Sequence, residues 1–311
     1  MKKWFLLIIV LLMILAVSVY LFIPNFVSIS FSLPVNATRD GIYRKLQDEK
    51  NWNNWWPEKN NNKANQFFYH GFQYSLDDRK VTSLIISISK NNIKAITSLD
   101  LISINNDSAN LVWQGVLPTS YNPIKRLQKY FVVKQINKDI GSLLKNMQSF
   151  FSRPENIYGF TIRQEPVVDS ILVSTFAISK DYPSTVFIYH LLDQLKEYIK
   201  NQSAKETGYP MLNINTEDSI NYLTRVAIPV DKELKSSGNI SYKHMLGRGK
   251  ILVVEVKGGS GAINNAFYQM KNYVNDYQRV APAIPFLSLV TDRMKEPDSS
   301  KWITRIYYPV M

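Results

Sequence analysis

Thr224-Arg225-Val226-Ala227-Ile228-Pro229-Val230 and Thr304-Arg305-Ile306-Tyr307-Tyr308-Pro309-Val310 are two versions of one short strand, each closing on Pro-Val. A helical pattern lies ahead of each. Residues 184–200 place Phe187, Ile188, Leu191, Leu192, Leu195, Tyr198 and Ile199 at helical spacing. Residues 262–277 do the same with Ile263, Ala266, Phe267, Met270, Tyr273, Val274 and Tyr277. An apolar strand precedes each helix, at 171–178 and at 251–257. The order strand, helix, strand, strand therefore occurs twice, and repeated order constrains architecture more than any single residue does. The second half of the chain, 157–311, reads as a duplicated unit with halves at about 157–230 and 240–311.

The whole chain has 311 residues, too many for one typical core and suited to two domains plus an additional segment. A hydrophobic content of 45% and an aromatic content of 13% supply packed cores and argue against general disorder. Absence of cysteine excludes disulfides, thiolate metal sites and cysteine nucleophiles together. His70, His190 and His244 are scattered, with no pair at i, i+4, which argues against a zinc or iron enzyme; no cofactor is implied. The net charge of +12 draws the chain toward anionic surfaces, lipid or nucleic acid. Its lysines are diffuse and no helix-turn-helix or similar module is present, so nucleic acid is not an expected partner.

Lys2 and Lys3 precede residues 4–23, an apolar run in which only Ser18 and Tyr20 carry polar side-chain atoms. At about 1.5 Å per residue such a helix spans the roughly 30 Å hydrocarbon layer. Lysines on the short flank favour a cytoplasmic N-terminus, so the reading is a single-pass anchor (1–25) in a bacterial cytoplasmic membrane with later domains on the extracytoplasmic side. A cleaved signal peptide, cut near Ala16-Val17-Ser18, is the competing reading. Continuation of the run through Leu21-Phe22-Ile23 favours the uncut anchor.

Residues 26–35 alternate as a strand, and Asn36-Ala37-Thr38 opens a helix that leads into Asn51-Trp52-Asn53-Asn54-Trp55-Trp56-Pro57. Strand runs at 67–74, 81–89, 93–104 and 109–117 are separated by turn residues and suit an antiparallel meander. A long helical pattern then covers 124–151. This order, the Leu33-Pro34-Val35-Asn36-Ala37 strand end, the Trp-rich segment and Lys138-Asp139-Ile140-Gly141-Ser142-Leu143-Leu144-Lys145 resemble the START-like (SRPBCC, polyketide cyclase/dehydrase) superfamily over residues 26–152. The resemblance implies a helix-grip fold with a central apolar pocket, in a superfamily whose members mostly bind hydrophobic ligands and in a minority are enzymes. Trp52 and Trp55 are candidate ligand-stacking residues there, with capping of the core as the competing role.

Residues 157–311 resemble the GyrI-like small-molecule-binding domain, also the effector-binding half of AraC-type and MerR-type regulators. The two strand-helix-strand-strand units, the paired Thr-Arg-x-x-x-Pro-Val strands and the passage Val256-Lys257-Gly258-Gly259-Ser260-Gly261 carry this resemblance. It implies two sheets facing a shared cleft that takes up cationic amphipathic or otherwise hydrophobic compounds, with hydrolysis in a subset of relatives. The family's acidic residue and following aromatic fall at Leu287 and Leu289, which removes the counter-charge a buried cation would need. The glycines at 258–261 lack the lysine and spacing of a phosphate loop and read as a tight turn. Arg225 and Arg305 read as surface residues or as partners of acids.

Taken as a whole, the chain is expected to be α+β: a transmembrane helix, a START-like helix-grip domain, then a duplicated GyrI-like domain. The function implied is non-catalytic uptake of a hydrophobic or amphipathic small molecule. Candidate ligand-binding residues are Tyr189, Phe267, Tyr268, Trp302, Tyr308 and Glu255, core packing being the competing role, with Glu255 on a strand face that alternation leaves open. A hydrolase or cyclase acting on a hydrophobic substrate, or a structural envelope protein, stands as the alternative. No Gly-x-Ser-x-Gly elbow supports triad hydrolysis.

Overall fold

The computed structural model describes residues 2–58, 66–168, 170–216, 220–245, 247 and 249–311. Met1, the side chains of Lys2 and Lys3, and Asn65 ahead of the meander lie outside the described residues. The fold is α+β with two antiparallel sheets, one curled into a half-barrel, and an N-terminal apolar helix. It divides into two compact units, Met1–Ile157 and Tyr158–Met311.

In the first unit, α1 (Lys2–Phe22) is the apolar run; its stretch Trp4–Phe22 is long and apolar enough to cross a membrane, a description a signal sequence also meets. Then follow β1 (Phe26–Val35), α2 (Arg39–Leu46), β2 (Phe67–Tyr69), β3 (Phe72–Arg79), β4 (Ser83–Lys90), β5 (Ile93–Ser103), β6 (Ala109–Pro118) and α3 (Pro123–Phe151). The six strands lie in the order β1-β6-β5-β4-β3-β2. The run expected as one strand over 67–74 is a hairpin, because His70 and Gly71 take φ of 48° and 75°. Two successive residues at positive φ turn the chain back tightly between paired strands.

Helix α3 starts at Asn122, whose Oδ1 accepts from the amides of Ile124 and Lys125, with Pro123 in the first turn. It lies along β1, the sheet edge. Asn137 accepts from the Ser30 amide (3.0 Å) and donates to the Ser28 carbonyl (3.2 Å), while Gln148 donates to the Pro34 carbonyl (2.6 Å). These side chains occupy edge groups that would otherwise invite another strand. Gly141 permits the approach, since a Cβ there would stand 3.0 Å from Phe31.

The interior of this unit is aromatic. Trp52 stacks on Trp56 at 5.9 Å and meets Phe67 at 5.1 Å, while its Nε1 donates to the Leu46 carbonyl. Trp113 donates to Thr97 Oγ1 at 2.8 Å. Asp139, fully buried on α3, accepts from Gln135 Nε2 and is bonded to His70 Nδ1, both at 2.7 Å. Its second oxygen, the Tyr74 hydroxyl and Trp55 Nε1 have no hydrogen-bond partner among the described residues.

The short helix α4 (Pro154–Tyr158) leads into the second unit, which holds β7 (Arg163–Pro166), β8 (Ser170–Ser179), α5 (Thr185–Asn201), β9 (Met211–Thr216), β10 (Tyr222–Val230), β11 (Ser241–Met245), β12 (Lys250–Lys257), α6 (Ser260–Asp276), β13 (Phe286–Leu289) and β14 (Ile303–Val310). The eight strands run β11-β8-β10-β9-β13-β14-β12-β7. Reading outward from the centre, β9-β10-β8 on one side and β13-β14-β12 on the other have the same connectivity. Their registers also match. Thr224 pairs with Ala177 and Ile214, and Thr304 pairs with Val256 and Leu289. Strands β9 and β13 meet at Leu212↔Leu287 and Met211↔Ser288. The outer strands are exchanged: β7, which leads into β8, pairs with β12, whereas β11, which leads into β12, pairs with β8.

Helices α5 and α6 cover one face, each over its own apolar cluster. Leu191, Leu192, Leu195 and Ile199 pack on Val226 and Ile228; Ile263, Ala266, Met270 and Val274 pack on Val254 and Ile306. Leu287 touches both clusters. Gly258, at φ 134°, makes the strand-to-helix turn, and its amide is occupied by the Trp302 carbonyl at 2.8 Å, consistent with a turn rather than an anion cradle.

Burial raises the Tyr74 phenol above its ordinary pKa, with the Asp139 charge adding to the effect, and burial likewise raises Tyr189 and Tyr273. A raised folded pKa means the unfolded chain ionises first. The stability these groups contribute is complete below about pH 10 and falls as pH rises beyond it. Tyr74→Phe removes a hydroxyl that is desolvated without a partner, so stability at pH 7 should stay level or rise by about 1 kcal/mol. The alkaline decline should also become shallower. Denaturant unfolding at pH 7 and pH 11 checks both, and a loss above about 1.5 kcal/mol at pH 7 would mean the hydroxyl is bonded.

Candidate functional site

The face of the eight-stranded sheet opposite α5 and α6 carries a hollow of about 230 Å³. It straddles the junction of the two strand trios. Met211 on β9 and Phe286 on β13 line it, side by side with Ser288 and with Tyr307 on β14. Phe286 stacks nearly parallel on Tyr307, with ring centroids 5.1 Å apart and planes 13° from parallel. Pro229, Ile251 and Met245 extend the apolar wall, and Tyr209 adds a third aromatic. Among the described residues of the lining, Glu165 on β7 supplies the carboxyl group. Its neighbour Arg163 stands 3.5 Å away, both side chains about half exposed.

Strand alternation explains the lining. Thr304, Ile306 and Tyr308 point to α6, so Tyr307 points away from it. Leu287 and Leu289, the positions where the resembled family carries its acid and aromatic, point to the helices; their cleft-facing neighbours are Phe286 and Ser288. Among the described residues of the lining, the carboxylate comes from β7.

The candidate residues from the sequence fall in several places. Phe267 on α6 and Tyr308 on β14 face each other at 6.0 Å, partly buried against the α6 cluster, and Tyr268 is exposed on α6. Glu255 lies on the cleft-side face of β12 outside the hollow, and accepts from Arg305 Nε at 2.9 Å. That bond holds Arg305 above its ordinary pKa. Tyr189 and Trp302 come together through Arg293, whose amide donates to the Tyr189 hydroxyl (2.7 Å) and whose guanidinium lies 4.7 Å over Trp302. Arg293 also donates to Thr304 Oγ1 (3.0 Å), and burial lowers its pKa. Trp52 and Trp55 belong to the core of the first unit.

Sequence reasoning missed Glu165, Met211, Phe286 and Tyr307. For Tyr307 a signal existed: parity counted from Thr304 and Ile306 assigns it to the face opposite Tyr308. His190, bonded to Gln194 at 3.1 Å, and His244 on β11 are exposed and stand outside the lining. No group of three or more His, Asp or Glu side chains among the described residues is placed to hold a metal.

In the first unit a hollow of about 450 Å³ lies against the solvent face of the six-stranded sheet, between Ser28, Ser30, Ile96, Gln114 and Val116. It opens away from α3, and Ile96 and Val116 are exposed there.

No family model matches the chain, and no curated protein matches it. Among solved structures, the C-terminal domain of EcmrR is similar at 20% identity and a TM-score of 0.43, over 49% of this chain and 98% of that one. A hydrolase encoded by lin2189 from Listeria innocua is similar at 8% identity and a TM-score of 0.37, over 49% of this chain and 92% of that one. SAV2435 bound to tetraphenylphosphonium is similar at 17% identity and a TM-score of 0.32, over 49% of this chain and 94% of that one.

Proposed function

We propose that this chain is a membrane-anchored binding protein whose second unit takes up a hydrophobic or amphipathic small molecule. The hollow between the strand trios carries the reading: among the described residues, aromatic and thioether side chains form the wall and the carboxylate of Glu165 joins them. Small-molecule sites are concave, mostly apolar and furnished with a few polar groups that set orientation. At about 230 Å³ the hollow is below the roughly 300–1,000 Å³ usual for drug-sized ligands, so the ligand is small or opens the cleft on entry. A ligand end bearing N–H groups or a positive charge suits Glu165, taking over from Arg163 as its neighbour.

The two strand trios are read as copies of one GyrI-like module related by an approximate dyad at Leu212 and Leu287; matched registers and the paired buried threonines Thr224 and Thr304 support this. The first unit is read as a START-like helix-grip domain. Trp52, Trp113, Tyr74 and Phe67 fill its core, which favours a spacer or partner-binding role for it over a second ligand site. Helix α1 serves as the anchor, with both units on the extracytoplasmic side. The cleft offers a carboxylate without a histidine beside it, so binding is favoured over hydrolysis.

Native mass spectrometry of the detergent-extracted protein is expected to reveal an apolar or amphipathic passenger. Repeated recovery of empty protein, with no compound of a broad hydrophobic panel raising the melting temperature, would overturn the reading. Tyr307→Ala should weaken ligand binding about tenfold at a modest stability cost, through loss of the aromatic wall. Tyr308→Ala should do the opposite, costing about 2 kcal/mol of stability and leaving affinity intact in the protein that remains folded. Glu165→Gln should weaken an aromatic ammonium compound about fivefold and leave its neutral analogue unchanged. Equal effects on both would remove Glu165 from recognition.

A further inference from the structure

The end of α1 is fastened to the start of α3 rather than joined to it by a loose linker. Arg126 is 4% exposed. Its Nε donates to the Ile23 carbonyl at 2.9 Å, and its Nη2 donates to the same carbonyl and to Asn25 Oδ1. A guanidinium at a helix C-terminus satisfies a free carbonyl and opposes the partial negative charge there. The guanidinium also lies 4.9 Å over the Tyr20 ring, and the Tyr20 hydroxyl donates to the Tyr121 carbonyl. Thr119 Oγ1 bonds the carbonyls of Pro24 and Asn25 at 3.0 and 2.9 Å. The last turn of α1 and the first turns of α3 are thus held side by side.

On α3, the face opposite buried Arg126 and Val133 carries Ile124 (68% exposed), Leu127 (39%) and Phe131 (57%) at positions i, i+3 and i+7. Tyr121 (94%) precedes them and Lys125 is exposed beside Ile124, while Lys129 turns to β6 and donates to the Pro118 carbonyl at 2.8 Å. An aligned apolar stripe left to water requires an explanation. Phe26, which opens β1 and pairs with Pro118 at the end of β6, is exposed as well.

We propose that residues 121–131 of α3 lie in the headgroup layer of the bilayer that α1 spans, with Ile124, Leu127 and Phe131 dipping into the acyl boundary and Lys125 meeting lipid phosphates. The inference rests on the reading of α1 as a membrane span. Continuity selects the bilayer as occupant, since Arg126, on the same turns of α3, ties this end of the helix to the Ile23 carbonyl where the apolar run ends. Amphipathic helices with apolar and lysine-bearing faces lie in this layer, and tyrosines such as Tyr20 and Tyr121 concentrate there. The first unit is therefore held in one orientation against the membrane.

Because the chain has no cysteine, single cysteines can carry an environment-sensitive fluorophore. Ile124→Cys, Leu127→Cys and Phe131→Cys would be labelled in the full chain, reconstituted in phosphatidylethanolamine–phosphatidylglycerol vesicles. Leu15→Cys on α1 and Asp107→Cys in the β5–β6 turn serve as references; the latter lies a strand length, roughly 30 Å, from Pro118. Lipids spin-labelled near the headgroup should quench all three α3 positions strongly and Asp107→Cys hardly at all, while deeply labelled lipids quench Leu15→Cys. Quenching at the α3 positions no greater than at Asp107→Cys, with Leu15→Cys still quenched, overturns the proposal alone. Loss of quenching at Leu15→Cys overturns the membrane span and the proposal with it. Labels shielded from both water and lipid would mean that a protein surface, such as a second copy, covers the stripe, and this also overturns it.

Discussion

Two facing positions, Leu212 opposite Leu287 and Met211 opposite Ser288, join the strand trios of the second unit into one sheet. Everything on either side of that sheet follows from this register. Side chains alternate, so the pairing sends Leu212 and Leu287 to the helix side, where Leu287 bridges the two apolar clusters. The same pairing sends Met211, Phe286 and Ser288 to the other side, where they floor the hollow. A slip of one residue would bury Ser288 under the helices and expose a leucine in the cleft. The central ladder is short, and the fit of the two clusters supplies the specificity that two residue pairs alone would not.

Much of the architecture was legible because its signals are local. The helical spacings of Phe187–Ile199 and Ile263–Val274 and the alternation of β1 are written within a dozen residues or so each. The site was less legible because its signals are not. Glu165 sits on a four-residue strand, Arg-Gln-Glu-Pro, with no apolar alternation, and only its pairing with Ile251 of β12 brings it to the cleft. Tyr307 and Tyr308 are adjacent and chemically identical; one side of the sheet receives each, and aromatic character alone does not distinguish them. The hairpin at His70 was hidden because a histidine at positive φ is uncommon, and the apolar residues on both sides read as one strand.

The first unit uses its long helix for two tasks with different chemistry. Along β1, the amides of Asn137 and Gln148 complete the hydrogen bonding of an edge strand. Near its start, Arg126 completes that of another helix. In the middle, Asp139 brings a carboxylate into the aromatic interior, and His70 and Gln135 share one of its oxygens. Burying such a group costs free energy unless its bonds are met. The imidazole reaching in from the β2–β3 turn therefore fixes that turn against α3 as much as it satisfies the acid.

The exchange of β7 and β11 bears on how the second unit comes to be made. Strand β7 leaves the ribosome long before its partner β12, and β8 must wait for β11 to cover its outer side. Neither half completes its own sheet from its own residues, so the halves form a single cooperative body rather than two that dock. Contacts so distant along the chain slow folding, because closure entropy is spent before the pairing that offsets it. Until β11 and β12 arrive, the edges of β8 and β7 stay open to strands of other chains, and concentration as well as sequence then governs how much of the nascent protein reaches its native form.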